Sequence, residues 1–304
     1  MELEHFIKKH RLPASYSRAA EQWFAPVAKG IAELQATRGE TIIAGINGAQ
    51  GAGKSTLAAL LALLCKEKYQ LNGIVLSMDD FYLTRQQRAS LAASIHPLMA
   101  TRGVPGTHDI SLALDIIQKL SEGRTQTLIP RFDKASDDRY PQQKWTCVAA
   151  KVDVILLEGW CLGAEPQTDN ALVAPVNELE KEEDSNGVWR RYVNQQLGDV
   201  YPQLFSLVDT LIMLKAPSFN CVYKWRLEQE NKLKSSLLHS ATSADCASDR
   251  TMDADAISRF IQYYQRITEH LLKTLPPKVD TLFNLDEERR VVSVQSPSGP
   301  TRLY

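Results

Sequence analysis

Residues 41–56 read Thr41-Ile-Ile-Ala-Gly-Ile-Asn-Gly48-Ala-Gln-Gly-Ala-Gly53-Lys54-Ser55-Thr56. The β-branched apolar run Thr41 to Ile46 predicts a buried strand, and the leucine- and alanine-rich stretch from Thr56 to Leu64 predicts a helix. Between them lies the full eight-position spacing of a phosphate loop, the Walker A pattern, in the strand-to-helix context that such a loop requires. Glycines permit backbone angles and close approaches closed to other residues. The amides at the helix start then form a concave anion site. Gly48, Ala49, Gln50, Gly51, Ala52, Gly53, Lys54, Ser55 and Thr56 are therefore the expected nucleotide-binding segment, with Lys54 reaching the outer phosphates and the Ser55 hydroxyl directed at Mg²⁺.

Outward from this stretch, apolar runs ending in polar residues alternate with helical periodicity. Upstream, residues 1–38 form a helical extension whose apolar stripe is Trp23, Phe24, Val27, Ile31 and Leu34. Downstream come strands at Gly73 to Met78, Thr125 to Ile129, Val152 to Gly159 and Thr210 to Lys215, and a closing pair at Thr281 to Leu285 and Arg290 to Val294. Helices are expected around Gln86 to Ser94, after a cap at Thr107 or Asp109, from Val188 to Leu207, from Asn220 to Lys234 and from Asp253 to Lys273. Alternating strands and helices predict one α/β domain, a doubly wound and mainly parallel sheet of the P-loop NTPase type. Residues 164–187, with the acidic run Glu178 to Asp184, read as a solvated surface insertion, and 217–250 as a lid.

The 304 residues carry a net charge of −1 and 44% hydrophobic residues. That balance describes a globular protein with no nucleic-acid surface and no polybasic membrane patch, so the partner is a small molecule. Five scattered cysteines without a paired CxxC spacing predict reduced thiols rather than a zinc site or a disulfide scaffold. No signal-peptide pattern opens the sequence and no apolar run reaches membrane-spanning length, so the expected location is the cytoplasm. A homodimer is compatible with the sequence, which does not specify oligomeric state.

A phosphate loop alone does not separate hydrolase, switch, motor and kinase. Transfer to a small hydroxyl also needs a carboxylate at the acceptor oxygen, a metal-supporting acid and cations for the charge of the transition state. Candidates stand at strand ends: Asp79 and Asp80 after the second strand, and Glu158 at the end of a nearly continuous apolar run.

The phosphate loop, Ser77-Met-Asp-Asp-Phe-Tyr82 and Leu157-Glu158-Gly159 together resemble the P-loop small-molecule kinases related to phosphoribulokinase, uridine kinase and pantothenate kinase. Arg102-Gly-Val-Pro-Gly-Thr-His-Asp109 and Ile129-Pro-Arg-Phe-Asp-Lys134 make the sequence most similar to the D-glycerate 3-kinase branch, over about Ile42 to Leu233. The resemblance implies ATP and Mg²⁺ as cofactors, Asp79 as the base, and Glu158 as a Walker-B-like acid that supports the metal with Ser55. It places Arg102 and His108 on the acceptor's carboxylate, a planar anion that suits a guanidinium fork. Asp80, Tyr82, Lys134 and Arg139 fall on the acceptor side, and Phe132 and Trp160 are candidate walls. Arg226 lies where relatives carry a lid arginine that closes on the phosphates, with Lys224 and Lys232 as companions. The chain departs from the family in lacking a second lid arginine, for which Lys224 or Arg139 could substitute.

The expected function is thus transfer of the γ-phosphate to a hydroxyl of a small anionic metabolite, with D-glycerate favoured. The alternatives are a relative with another acceptor, such as pantothenate, a nucleoside or a sugar phosphate, and an ATP-binding regulatory protein with little transfer activity.

Overall fold

A computed structural model describes residues 2–228 and 254–296. The N-terminal extension folds as α1 (Glu2–Lys9), α2 (Tyr16–Ala19), a π-helical stretch (Ala20–Phe24) and α3 (Ala25–Arg38). Next come β1 (Ile42–Gly48), the phosphate loop, α4 (Lys54–Tyr69) and β2 (Gly73–Ser77). A short 3₁₀ turn (Met78–Phe81), α5 (Arg85–Ser94) and α6 (Ile110–Ser121) follow. The middle of the chain holds β3 (Thr127–Ile129), β4 (Phe132–Asp133), β5 (Asp138–Arg139), β6 (Thr146–Val148) and β7 (Val154–Gly159). Then come α7 (Glu178–Glu183), α8 (Val188–Asp199), α9 (Tyr201–Phe205), β8 (Thr210–Lys215) and a helix α10 over residues 219–228. The described chain closes with α11 (Ala254–Thr274), β9 (Thr281–Leu285) and β10 (Val291–Gln295). Lys232 and most of the expected lid, residues 229–250, lie outside the described residues.

The main sheet runs in the order β10-β9-β8-β1-β7-β2. All its pairings are parallel except β9 with β10. Period-two alternation sends Ile42, Ala44 and Ile46 of β1 and Val154 and Leu156 of β7 to one face, where α3 and α4 cover them. Ile43, Ile155 and Leu157 point to the other face and pack with residues of α6, α8, α9 and α11. Burial on both faces is what the continuous apolar strands predicted, and the fold is the doubly wound α/β sheet. The carboxyl ends of β1, β7 and β2 consequently lie side by side, where open α/β sheets place their ligands.

Three expectations are corrected. The strand at Thr127–Ile129 leaves the main sheet and pairs with β6 alone, and the chain after it forms the hairpin β4–β5. The helix expected from Val188 to Leu207 breaks at Val200, because Pro202 starts a new helix there. The acidic run is not a purely solvated insertion. Helical phase turns Glu178, Lys181, Glu182 and Glu183 outward but Leu179 and Glu180 inward. Buried Glu180 accepts hydrogen bonds from Arg266 Nε and NH2 at 2.7 and 2.6 Å, and buried Asp184 pairs with Arg190 at 3.0 Å. Charge counted along a sequence carries no phase, so these two anchoring acids were invisible in it.

Candidate active site

The phosphate loop leaves β1 and enters α4 through Gly53, left-handed at φ 98°. Gly51 is required for contact as well as conformation: a Cβ there would lie 2.8 Å from the Cβ of Trp225. Trp225 is buried, donates to the Glu287 carbonyl at 2.6 Å and so seats α10 directly on the phosphate loop. Lys54 folds back on the loop, donating to the Ala49 carbonyl at 3.1 Å. Burial pushes its pKa down, against the opposing pull of Glu158 and Asp79.

Glu158 is the register partner of Ile46 on one side and of Ser77 on the other. Its Oε1 accepts hydrogen bonds from the hydroxyls of Ser55 and Ser77, both at 2.8 Å. Ser77 also accepts the Asp79 amide at 3.3 Å and caps the turn that carries Asp79. That turn presses on the end of β7, since a Cβ on Gly159 would fall 2.3 Å from Met78 Sδ. The hard oxygen set of Ser55 and Glu158 beside the phosphate loop fits Mg²⁺. Among the described residues no cluster of three or more His, Cys, Asp or Glu side chains forms a metal cage.

Asp79 and Asp80 point to different partners, as adjacent residues should. Asp79 accepts from the Tyr82 hydroxyl at 2.7 Å and from the Lys134 ammonium at 2.6 Å. Burial works against its ionisation, but the charge and hydrogen bond of Lys134, the Tyr82 hydroxyl and the charge of Lys54 prevail and hold its pKa well below the usual carboxylate range. Asp80, expected on the acceptor side, instead binds Arg131 at 2.6 Å and the Phe132 amide at 3.2 Å, anchoring hairpin β4–β5.

The segment Arg102 to Asp109 is zipped to this turn. Leu83 donates to the Thr107 carbonyl at 2.9 Å and Asp109 to the Phe81 carbonyl at 2.7 Å, with Tyr82 and His108 bridged between them. Arg102 is thereby brought to the crevice, its guanidinium 5.4 Å from the Phe132 ring centroid and paired with Asp137 of the hairpin. Tyr82, whose hydroxyl binds Asp79, packs edge-on to Phe132 at 5.2 Å, so Asp79 and Arg102 are held at the two rings of one aromatic pair. Arg226 itself lies 5.7 Å from the Phe260 ring centroid.

Three expectations fail on geometry. His108 is 6% exposed. Its Nδ1 lies 2.6 Å from the Tyr201 hydroxyl, its ring packs on Tyr82, and its buried Nε2 has no partner. Burial pushes its pKa down to about 4 against the raising effect of Asp79, so it is a neutral packing group and offers the acceptor no charge. Arg139 donates to the Tyr82 carbonyl at 2.8 Å and to Asp109 at 3.2 Å, bracing the loop rather than facing it. Lys224 forms an exposed ion pair with Glu287 at 2.8 Å. Trp160 is buried and donates to the Gly103 carbonyl at 2.9 Å, so it fixes the acceptor loop from below instead of lining it. Sequence reading missed Ser77, Asp137 and Tyr264. Ser77 stood in the quoted strand-end motif and Tyr264 in the helix expected from Asp253 to Lys273, whereas Asp137 left no signal.

A phosphate loop at the end of β1, with acids at the ends of β2 and β7 and a basic crevice beside them, defines a P-loop phosphotransferase. No protein-family model matches the chain. It is 31% identical over 251 residues to a Schizosaccharomyces pombe protein named "Uncharacterized kinase mug58", covering 79% of this chain and 84% of that one. It is 28% identical over 264 residues to the chloroplastic D-glycerate 3-kinase of Arabidopsis thaliana, covering 83% of this chain and 54% of that enzyme's length. The solved structure of a Cryptococcus neoformans D-glycerate 3-kinase matches with a TM-score of 0.71 at 22% identity, over 90% of this chain and 98% of that one, and supports the fold. The chain belongs to the P-loop small-molecule kinases and is a phosphotransferase acting on an alcohol group. Proteins named D-glycerate 3-kinase stand among its relatives. Among the described residues no helix is long and apolar enough to cross a membrane.

Proposed function

We propose that the chain is an ATP- and Mg²⁺-dependent kinase for D-glycerate. The observation that carries the reading is the placement of Asp79 and Arg102 at the two rings of the Tyr82–Phe132 pair: a base for a hydroxyl beside a guanidinium for a carboxylate. The names of the relatives support the same acceptor.

The phosphate-loop amides from Gly48 to Ser55 hold the β- and γ-phosphates, and Lys54 neutralises their charge. Ser55 and Glu158 are the residues that would hold Mg²⁺, whose chemistry is to neutralise the phosphates and align the leaving group. Arg102 takes the acceptor's carboxylate and so presents its hydroxyl to Asp79. The hydroxyl oxygen forms the new bond to the γ-phosphorus as the bond to the β–γ bridging oxygen breaks. ADP leaves, and the hydroxyl proton passes to Asp79 and on to water. Lys54 and Arg226 balance the charge spread over the equatorial oxygens.

A coupled ADP-release assay over D-glycerate, L-glycerate, glycerol, pantothenate, uridine and a sugar phosphate tests the proposal. The expected result is the highest kcat/KM with D-glycerate. A higher value for any other member of the panel overturns the acceptor assignment.

A further inference from the structure

Hairpin β4–β5 puts a cation and an anion of its own on the two groups proposed to receive the acceptor. Its Lys134 donates to Asp79 Oδ2 at 2.6 Å. Its Asp137 pairs one carboxylate oxygen with Arg102, while the other lies 2.9 Å from NH2 of buried Arg88, which also holds the Asp137 carbonyl. Asp137 reaches this position in the left-handed region at φ 54°. The hairpin is tethered at its base by Asp80, through Arg131 and the Phe132 amide, so its tip is held over the crevice.

A hydroxy acid carries the same two functions, a proton donor that suits Asp79 and a carboxylate that suits Arg102. We infer that the hairpin is an internal mimic of the acceptor, in which Asp137 competes with the acceptor's carboxylate for Arg102 and Lys134 covers the base until a hydroxyl replaces it. The inference rests on the proposed acceptor and extends it to control of that same site. Exchange is one-for-one: Arg102 trades one carboxylate for another and Asp79 one donor for another, so neither is left unpaired during the swap. Both pairs are partly exposed, with Asp137 39% and Lys134 61% accessible, and pairs of that kind are weak enough to exchange. Asp79 is held ionised while covered, and losing the Lys134 contact would raise its affinity for a proton at the moment the hydroxyl arrives.

The competing account is that Asp137 buttresses Arg102 in its binding position. The two accounts predict opposite signs. Steady-state kinetics of Asp137→Asn, with D-glycerate and with uncharged glycerol as acceptors, separates them. Mimicry predicts that KM for D-glycerate falls about threefold to fivefold, the scale of one partly exposed ion pair, while KM for glycerol and for ATP stays unchanged. A raised or unchanged KM for D-glycerate, or an equal fall for both acceptors, overturns it. Asp137→Gly, which suits the left-handed backbone and leaves Arg88 its contacts to the Leu83, Ala100 and residue 137 carbonyls, repeats the test if the amide variant folds poorly. If the wild type does not phosphorylate D-glycerate, the proposed acceptor and the mimicry both fall. Activity on D-glycerate with the wrong sign for the variants removes the mimicry alone.

Discussion

Acidification should unfold this protein partly through His108. The unfolded chain takes up a proton near pH 6.5, whereas burial holds the folded imidazole neutral down to about pH 4. Between those values the unfolded state binds more protons, so stability is fully present above pH 6.5 and is lost as pH falls toward 4. At about 1.4 kcal/mol per pKa unit the whole contribution is about 3 kcal/mol, of which about 2 kcal/mol is gone by pH 5. Urea unfolding of the wild type and of His108→Phe at pH 7 and pH 5 measures it. The phenyl ring keeps the packing on Tyr82 and does not titrate. Loss of the Tyr201 contact lowers the variant's stability at both pH values and cancels in the comparison. The wild type should lose about 2 kcal/mol more than the variant between the two pH values. Equal losses would refute the argument, since they would mean that the proton reaches the imidazole without opening the fold.

Asp79→Ala should lower kcat by about 10²- to 10⁴-fold while KM for ATP stays nearly constant, as steady-state kinetics with saturating acceptor would show. Ser77→Ala leaves Glu158 the Ser55 donor alone, and the Mg²⁺ concentration giving half-maximal ATP binding, read by calorimetry, should rise about fivefold for the loss of about 1 kcal/mol. Gly159→Ala forces Met78 and the turn bearing Asp79 away from β7; thermal unfolding should register a loss of about 1–3 kcal/mol, with kcat falling more than ATP affinity.

The phosphate loop, the strand-end acids and the parallel sheet could be read from local pattern, because each depends on residues adjacent in sequence. The seat of α10 on the loop could not. It depends on Gly51 meeting Trp225 and on Trp225 reaching Glu287, contacts far apart in the chain. His108 and Arg139 were misassigned for a related reason. Both sit in polar segments that the resemblance put on the acceptor side, yet Tyr201 engages the Nδ1 of His108 and Asp109 binds Arg139 inside the fold. Residue type announced a polar group, and only tertiary structure disclosed whether its partner was protein or solvent.

That distinction also bears on which acid serves as the base in the proposed mechanism. Asp80 spends its two oxygens on Arg131 and a backbone amide. Asp109 caps α6 through the Leu112 amide and holds Arg139, while Glu158 is pinned by two hydroxyls. Freeing any of these would strand a buried donor or loosen an element that builds the site. Asp79 differs because one of its two partners is an ammonium on a flexible stem, 61% exposed, which water can solvate once it lets go. The carboxylate able to accept a proton from a substrate is thus the one whose own partner can leave at little cost, and among these acids the description fits Asp79.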